Sequence, residues 1–161
     1  MNPMVRRSRD SDVEVLVELT LLAFVPVFDS FRELLGPAIY PIIWPDWKKA
    51  QREAVETLCS SSNENIVLVA EVNGVPIGYV AYGIRSKDSE GEVLLLAVHP
   101  EHQDRGVGTL LNGRALEEMK AAGVKLAIAE TGGESSHAPA RRSYEKSGYV
   151  GLPLVRYFKS L

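Results

Sequence analysis

The chain has 161 residues, 45% of them hydrophobic and 24% charged, with a formal net charge of −3 and one cysteine. That balance fills one core and excludes wholesale disorder, and the slight acidity supplies no field to gather nucleic acid or an anionic membrane. The lone thiol, Cys59, excludes an internal disulfide and any multi-thiolate metal site. It suits a reducing compartment, so the expectation is a cytoplasmic protein in which Cys59 is a small buried apolar residue.

The opening "MNPMVRRSRDSD" lacks the apolar stretch of a secretion signal, and no run approaches the ~20 apolar residues of a membrane-spanning helix. Residues 4 to 8 predict a short strand, and "SDVE" reads as a capping box in which Ser11 and Glu14 open a helix to about Phe24. Pro26 then starts a second short helix, "PVFDSFRELL", closed by Gly36. The segment "PAIYPIIWP" is expected not to be regular helix, because Pro37, Pro41 and Pro45 each remove a donor, and helix resumes over 45 to 59.

The next stretch changes character. "NIVLVAEV" and "VPIGYVAYGI" are rich in β-branched and aromatic residues and are joined by Asn73-Gly74, a hairpin signal. After the polar loop "RSKDSEG", residues 92 to 99 form a third strand of the group. "GTLLNGRALEEMKAAG" has apolar residues at 110, 111, 115, 116 and 119, the spacing of an amphipathic helix that Gly123 ends. "VKLAIAET" reads as a strand, "HAPARRSYEKSG" as a helix stopped by Gly148, and "LPLVRYFKSL" as a terminal strand over 152 to 161. No repeat or linker divides the chain, so one α/β (α+β) domain with a mixed sheet is expected.

One stretch carries chemistry. In "AVHPEHQDRGVGTLL" a strand runs into a helix through Gly106 and Gly108, which each cost roughly 0.5–1 kcal/mol if helical. Exposed amides and the positive end of a helix dipole there make an anion site, and glycine lets a phosphate approach the backbone. The P-loop pattern fails for want of Gly-Lys-Ser/Thr, and the dinucleotide fingerprint fails because the third glycine is Gly113 and not residue 111. A nucleotide or dinucleotide binder is therefore disfavoured. His99 and His102 form H-x-x-H on a loop without a third ligand, so no metal site is expected.

The pattern that fits is Gln/Arg-x-x-Gly-x-Gly/Ala, here Gln103-Asp104-Arg105-Gly106-Val107-Gly108 after "EVLLLAVHPEH" and ahead of "RRSYEKSGY". This resembles the GNAT superfamily of acyl-CoA-dependent N-acyltransferases. The resemblance covers residues 64 to 150 well, and implies a CoA-binding core there, a helical acceptor-side region over 1 to 62, helices on both faces of a mostly antiparallel sheet, and a parallel strand pair at the CoA site.

It further implies acetyl-CoA as cosubstrate, direct transfer without an acyl-enzyme, and a cradle made by the amides of Asp104, Arg105, Gly106, Val107, Gly108 and Thr109 with the side chains of Gln103 and Arg105 close by. Val98 matches the position whose N–H faces the thioester carbonyl, and Tyr144 the acid that protonates the departing thiolate. Glu92 matches a glutamate that removes the amine proton through water. The family's pantetheine-contacting Asn is absent from "TGGESSHAPARR", where Ser136 or His137 occupies that neighbourhood; His137 stands as a donor to pantetheine or as a second base, with helix capping as its structural alternative. The acceptor is expected to be a small-molecule or peptide amine, held in part by Phe24, Phe28, Phe31, Tyr40, Trp44 and Trp47. A non-catalytic acyl-CoA-binding sensor is the alternative function. The terminal strand is free to pair with a second chain, which allows a homodimer.

Overall fold

Asn73 and Gly74, with φ of 51° and 79°, turn the chain between two long strands, and the sheet grows outward from that hairpin. The computed structural model describes residues 2–85, 87 and 89–161. Its strands are β1 Met4–Arg7, β2 Ile66–Val72, β3 Val75–Arg85, β4 Glu90–Val98 and β5 Leu126–Ala129, in that order across one sheet. β1 to β4 pair antiparallel and β5 joins β4 in parallel, as expected of a mixed, mostly antiparallel sheet. Ser86 and Asp88 of the expected polar loop lie outside the described residues.

Among the described residues the sheet is flanked by α1 Val13–Ile43, α2 Trp47–Cys59, α3 Val107–Ala121 and α4 Ala138–Lys146. On one face Leu111, Ala115 and Met119 of α3 pack on Leu68, Val80, Tyr82, Val93 and Val98. On the other, Leu16, Val17 and Leu19 of α1 and Val55 of α2 pack on Val67, Val69, Tyr79, Ala81 and Ala97. The alternation of apolar residues along β2, β3 and β4 supplies both layers because successive side chains point to opposite faces. A parallel β4–β5 pair requires a crossover connection, and α3 is that connection.

The N-terminal half departs from the sequence expectation. The expected Ser11–Glu14 box is replaced by a short 3-10 turn at Asp10–Asp12, with the Asp12 carboxylate accepting the Arg9 N–H at 2.7 Å. Asp12 is also gripped by Arg6, which reaches it at 2.7 and 3.0 Å and donates to Glu71 at 2.6 Å. This buried network selects the frame in which the helix starts.

Beyond it, Pro26 does not begin a new helix. Its missing N–H costs roughly 3 kcal/mol, but α1 buries Leu16, Val17, Leu19, Val27 and Phe28 on one stripe, each such side chain contributing about 1.5–3 kcal/mol. The real break is at Gly36, whose φ of 67° and ψ of −179° divide α1 into two helices. The second piece runs through Pro37 to Ile43, so most of "PAIYPIIWP" is helical after all. Pro37 stands in the first turn after the break, where its lacking donor goes unmissed.

Residues 150–161 correct another expectation. They form no strand and lie exposed outside the sheet. A strand persists only when its backbone groups find a partner edge, and among the described residues this segment pairs with none.

Candidate active site

The ladder between β4 and β5 ends at Val93 and Ala129, with its four residue pairs all in the first half of β4. From Leu94 to Val98, β4 keeps β3 on one side and, among the described residues, no strand on the other. A bulge at Leu94 sets the register of that free stretch, since Tyr82 pairs with Val93 and Ala81 with Leu95. His99 N–H donates to the Ile77 carbonyl at 2.9 Å. The Gly78–Val98 pair is therefore of the wide kind, and Val98 turns its N–H and C=O away from β3, into the gap. Two residues earlier Leu96 does the same, paired with Val80. Leu96 was missed in the sequence, where only the alternation along β4 could have found it.

The gap leads straight to the glycine loop. After a 3-10 turn at Pro100–His102, Gln103 folds back and its side-chain amide donates to the Val98 carbonyl at 2.9 Å. Asp104 and Gly106 both adopt positive φ, 56° and 80°. Such a backbone favours glycine, and a Cβ at 106 would meet no atom within 4 Å, so the open space belongs to whatever approaches the loop.

The first internal bond of α3 runs from Leu110 N–H to the Gly106 carbonyl at 2.9 Å. Among the described residues, the amides of Asp104, Arg105, Gly106, Val107, Gly108 and Thr109 donate to no backbone or side-chain acceptor. Six unengaged N–H groups at the positive end of a 15-residue helix are a ready anion site, so a diphosphate fits here. At Gly108 the space for a side chain lies elsewhere, toward Leu96 and Val98 at 3.5 and 3.9 Å. There glycine serves helix-to-strand packing, while its N–H still faces the loop.

Thr109 Oγ1 lies 3.4 Å from Ser143 Oγ, which docks α4 on the start of α3. The next residue on α4 is Tyr144, whose ring meets Tyr149 edge-on at 5.3 Å. Burial, with the Tyr149 hydroxyl nearby, pushes the Tyr144 phenol up to about 12, so it stays protonated at neutral pH. Tyr149 in turn donates to Asn112 Oδ1 at 3.4 Å, on the fully buried face of α3.

Glu92 stands apart from this group. It sits in the paired half of β4 between Gly83 and Ile128, 3.6 Å from Arg85 Nη2. Six residues along the strand separate it from Val98, about 20 Å at the usual rise. The structure thus brings Val98, the glycine loop and α4 together and leaves Glu92 at the closed end of the sheet.

His137 occupies the N-cap position of α4, yet its side chain does not cap the helix. The ring instead contacts the Glu134 carboxylate and lies 5.9 Å from the Phe31 ring of α1. Although burial opposes it, hydrogen bonds from Ser136 and His137 hold the Glu134 carboxyl below its ordinary range. Arg141 reaches back to the carbonyls of Gly132 and Glu134 at 2.6 and 2.7 Å, fixing the loop. Glu134 and Arg141 escaped the sequence reading, since a carboxylate three residues before a histidine signifies nothing until the turn is seen.

The aromatic residues form one wall. Trp44 stacks on Phe31 at 4.8 Å, Trp47 stacks on Phe28 at 4.3 Å, and Tyr40 tilts against Trp44 at 5.7 Å. Arg32, Gly36, Pro37, Tyr40, Pro41, Trp44 and Pro45 line a cavity of about 470 Å³. Tyr40 is buried and its hydroxyl has no partner among the described residues. Phe24 packs instead against the α1–α2 core. Cys59 is partly buried at the end of α2, where burial pushes its thiol up and keeps it protonated. Among the described residues, no helix is long and apolar enough to cross a membrane.

Comparison with known proteins fits this geometry. The chain is 34% identical over 87 residues to the L-amino acid N-acyltransferase MnaT of Escherichia coli, covering 52% of this chain and 49% of that protein. It is 36% identical over 87 residues to the L-methionine sulfoximine/L-methionine sulfone acetyltransferase of Salmonella typhimurium, covering 52% of this chain and 50% of that protein. The match thus spans about half the length of these curated relatives. The solved PaiA N-acetyltransferase of Thermoplasma acidophilum, in complex with coenzyme A, superposes with a TM-score of 0.71 at 19% identity over 92% of this chain and 89% of that one. The sequence model of the acetyltransferase (GNAT) family matches residues 36–149, well over half the chain, and the chain belongs to that family.

Proposed function

We propose that this protein transfers an acetyl group from acetyl-CoA directly to a primary amine. The observation that carries the reading is the row of amides from Asp104 to Thr109 with no internal acceptor, next to a strand whose Leu96 and Val98 N–H groups face an open gap. In this reading the cradle and the helix dipole hold the diphosphate, and Gln103 keeps the loop against Val98. Acetyl-CoA supplies the thioester, whose carbonyl lies against the amides of β4. These donors are already oriented, so charge developing on the carbonyl oxygen meets them without reorganisation.

Tyr144 delivers its proton to the departing thiolate, a task for a group that is protonated at neutral pH. Glu92, about 20 Å along β4 from Val98, receives the amine proton through a chain of waters and not by direct contact, because the alkylammonium form, with pKa about 10.4, cannot attack. His137, which faces Phe31, serves the acceptor side. We take the acceptor to be an amine with an apolar body, held by Trp44, Phe31 and Tyr40, and the names of the two curated relatives favour a free amino acid or a close analogue.

A panel of L-amino acids, aminoglycosides and short peptides, assayed for acceptor-dependent release of the CoA thiol, tests this. Turnover confined to small amino acid-like amines is the expected result. No thiol release with any amine, alongside tight CoA binding, would overturn the catalytic reading and favour a sensor.

A further inference from the structure

Two titratable side chains meet in the loop between β5 and α4. The Glu134 carboxylate contacts His137 Nδ1, and the two side chains are only 15% and 17% exposed. A carboxylate taken out of water is costly unless hydrogen bonds replace its hydration. Here Ser136 Oγ donates to Glu134 Oε1 at 2.6 Å, and Arg141 pins the Gly132 and Glu134 carbonyls so that the loop closes around the pair. Gly132 completes the fit, because a Cβ there would collide with the Glu134 carboxylate and with His137 Nδ1.

The pairing fixes a tautomer. Burial opposes charge on Glu134, but the hydrogen bonds from Ser136 and His137 prevail and keep the carboxylate ionised. An ionised carboxylate only accepts, so the proton of the neutral imidazole sits on Nδ1 and the lone pair on Nε2. Capping does not account for the residue, since its side chain makes no bond to the start of α4.

The place of the ring matters as much as its tautomer. It lies 5.9 Å from Phe31, which stacks on Trp44 in the aromatic wall. His137 stands at the N-cap of α4, and Tyr144 follows two turns later on the same side of the helix, about 10 Å along at the usual rise. One helix thus presents a group able to take a proton on the acceptor side and a group able to give one. Glu92, beside Arg85 at the closed end of the sheet, has no such place.

We propose that His137 Nε2 takes the proton that the amine nitrogen sheds after attacking the thioester, and that Glu134 is the positioning residue that holds the ring in the required tautomer. The step rests on the acetyl-transfer reading. The neutral amine forms the new C–N bond, which leaves its nitrogen positively charged. That proton passes to Nε2 as the carbonyl re-forms and the C–S bond breaks. The sulfur departs with the bonding pair and takes the Tyr144 proton, and the imidazolium proton restores the phenol through solvent. An amide and the CoA thiol result, and the protein is unchanged. The earlier proton, lost by the ammonium before attack, is a separate one and follows the water chain to Glu92.

His137→Ala is expected to lower kcat about 100-fold, as for a lost general base, with the Kd for acetyl-CoA within twofold and part of the loss restored by added imidazole. Glu134→Ala is expected to lower kcat about tenfold, the worth of one hydrogen bond to a charged group, at an unchanged amine KM. Nitrogen-15 NMR of the His137 ring, above the ordinary imidazole pKa of about 6.5, reads the tautomer without turnover. The native chain should carry the proton on Nδ1, and Glu134→Ala should move it toward Nε2. A His137→Ala variant that keeps its kcat, or that loses only acetyl-CoA affinity, would overturn the proposal, and so would a native ring protonated on Nε2. A native chain that acetylates no amine would instead sink the acetyl-transfer reading, and this step with it.

Discussion

The side-chain amide of Gln103 donates to the Val98 carbonyl across 2.9 Å, so the residue that opens the glycine loop is fastened to the strand that feeds it. One bond thus fixes the loop amides relative to the strand amides in the gap. A net hydrogen bond of this kind is worth about 1 kcal/mol. Gln103→Ala is therefore expected to weaken acetyl-CoA binding about fivefold, read by calorimetric titration, while the KM for the amine stays within twofold. An unchanged Kd for acetyl-CoA would dissociate the tether from the cofactor site.

The two glycines of the loop should respond oppositely to a methyl group. Gly106 holds a left-handed backbone with open space around it. A side chain there costs about 1–2 kcal/mol. The loop escapes that strain in the free protein by relaxing, so the cost returns on binding. Gly106→Ala should weaken acetyl-CoA by about 5- to 30-fold, since 1.36 kcal/mol is a factor of ten. Gly108→Ala places its methyl in ordinary contact with Leu96 and Val98. It gains about 1 kcal/mol of helix propensity, so Tm should rise and acetyl-CoA affinity stay within twofold. Equal effects at both positions would contradict the division of labour.

What was legible in the sequence, and what was not, follows from the range of the forces involved. Asn73-Gly74, the loop 103–108 and the helix ends at Gly123 and Gly148 depend on a few neighbouring residues, and each stands where the spacing put it. The frame of α1 depends on Arg6 meeting Glu71, 65 residues away, so the Ser11–Glu14 reading had no means of seeing its competitor. Pro26 and Pro41 look like breaks locally, but α1 is held by what it packs against. The strand expected over 152–161 was read from side chains alone, and a strand also needs an edge to join. In the candidate site, Val98 and the loop are proposed from the motif. Leu96, Glu134 and Arg141 emerge only from register and tertiary contact.

Tyr144→Phe separates an acid from a packing residue. The ring remains to meet Tyr149, while the proton is lost. If Tyr144 is the general acid, kcat should fall by roughly 10²- to 10⁴-fold, with the Kd for acetyl-CoA within twofold of the original. Burial raises the phenol above its unfolded value near 10. Its contribution to stability is therefore complete below about pH 10 and is lost as pH rises toward 12, and the phenylalanine variant should resist alkaline unfolding better. An unchanged kcat removes Tyr144 from the chemistry.

Trp44 is stacked on Phe31 and closes one side of the cavity bounded by Tyr40 and Arg32. Trp44→Ala should raise the amine KM at least tenfold and leave the acetyl-CoA KM within twofold, because Trp44 lines the aromatic cavity and supplies none of the loop amides of 104–109. Trp44→Phe, which keeps a ring over Phe31, should recover most of the loss. Parallel changes in both KM values would show that the wall supports the whole fold and not the acceptor alone.

Arg6 is the basis of the N-terminal frame, and its removal gives a pH signature. Its guanidinium contacts Asp12 and Glu71, whose side chains are 7% and 8% exposed. Taking away one partner of a buried ionic group leaves uncompensated charge and costs about 3–5 kcal/mol. Arg6→Met should therefore lower the free energy of unfolding in urea by about that amount at pH 7. Hydrogen bonding from Arg6 holds the Asp12 carboxyl below its ordinary value, with the Arg9 amide assisting and burial opposing. A carboxyl depressed in the folded state stabilises above its unfolded pKa of about 3.9 and loses that contribution as pH falls through the folded value. The native chain should accordingly lose stability below pH 4. In Arg6→Met the buried Asp12 carboxylate loses the partner that chiefly holds it ionised and favours protonation instead, so the deficit against the native chain should shrink as the pH is taken from 7 to 4. A deficit constant across that range would mean that Arg6 acts through packing alone.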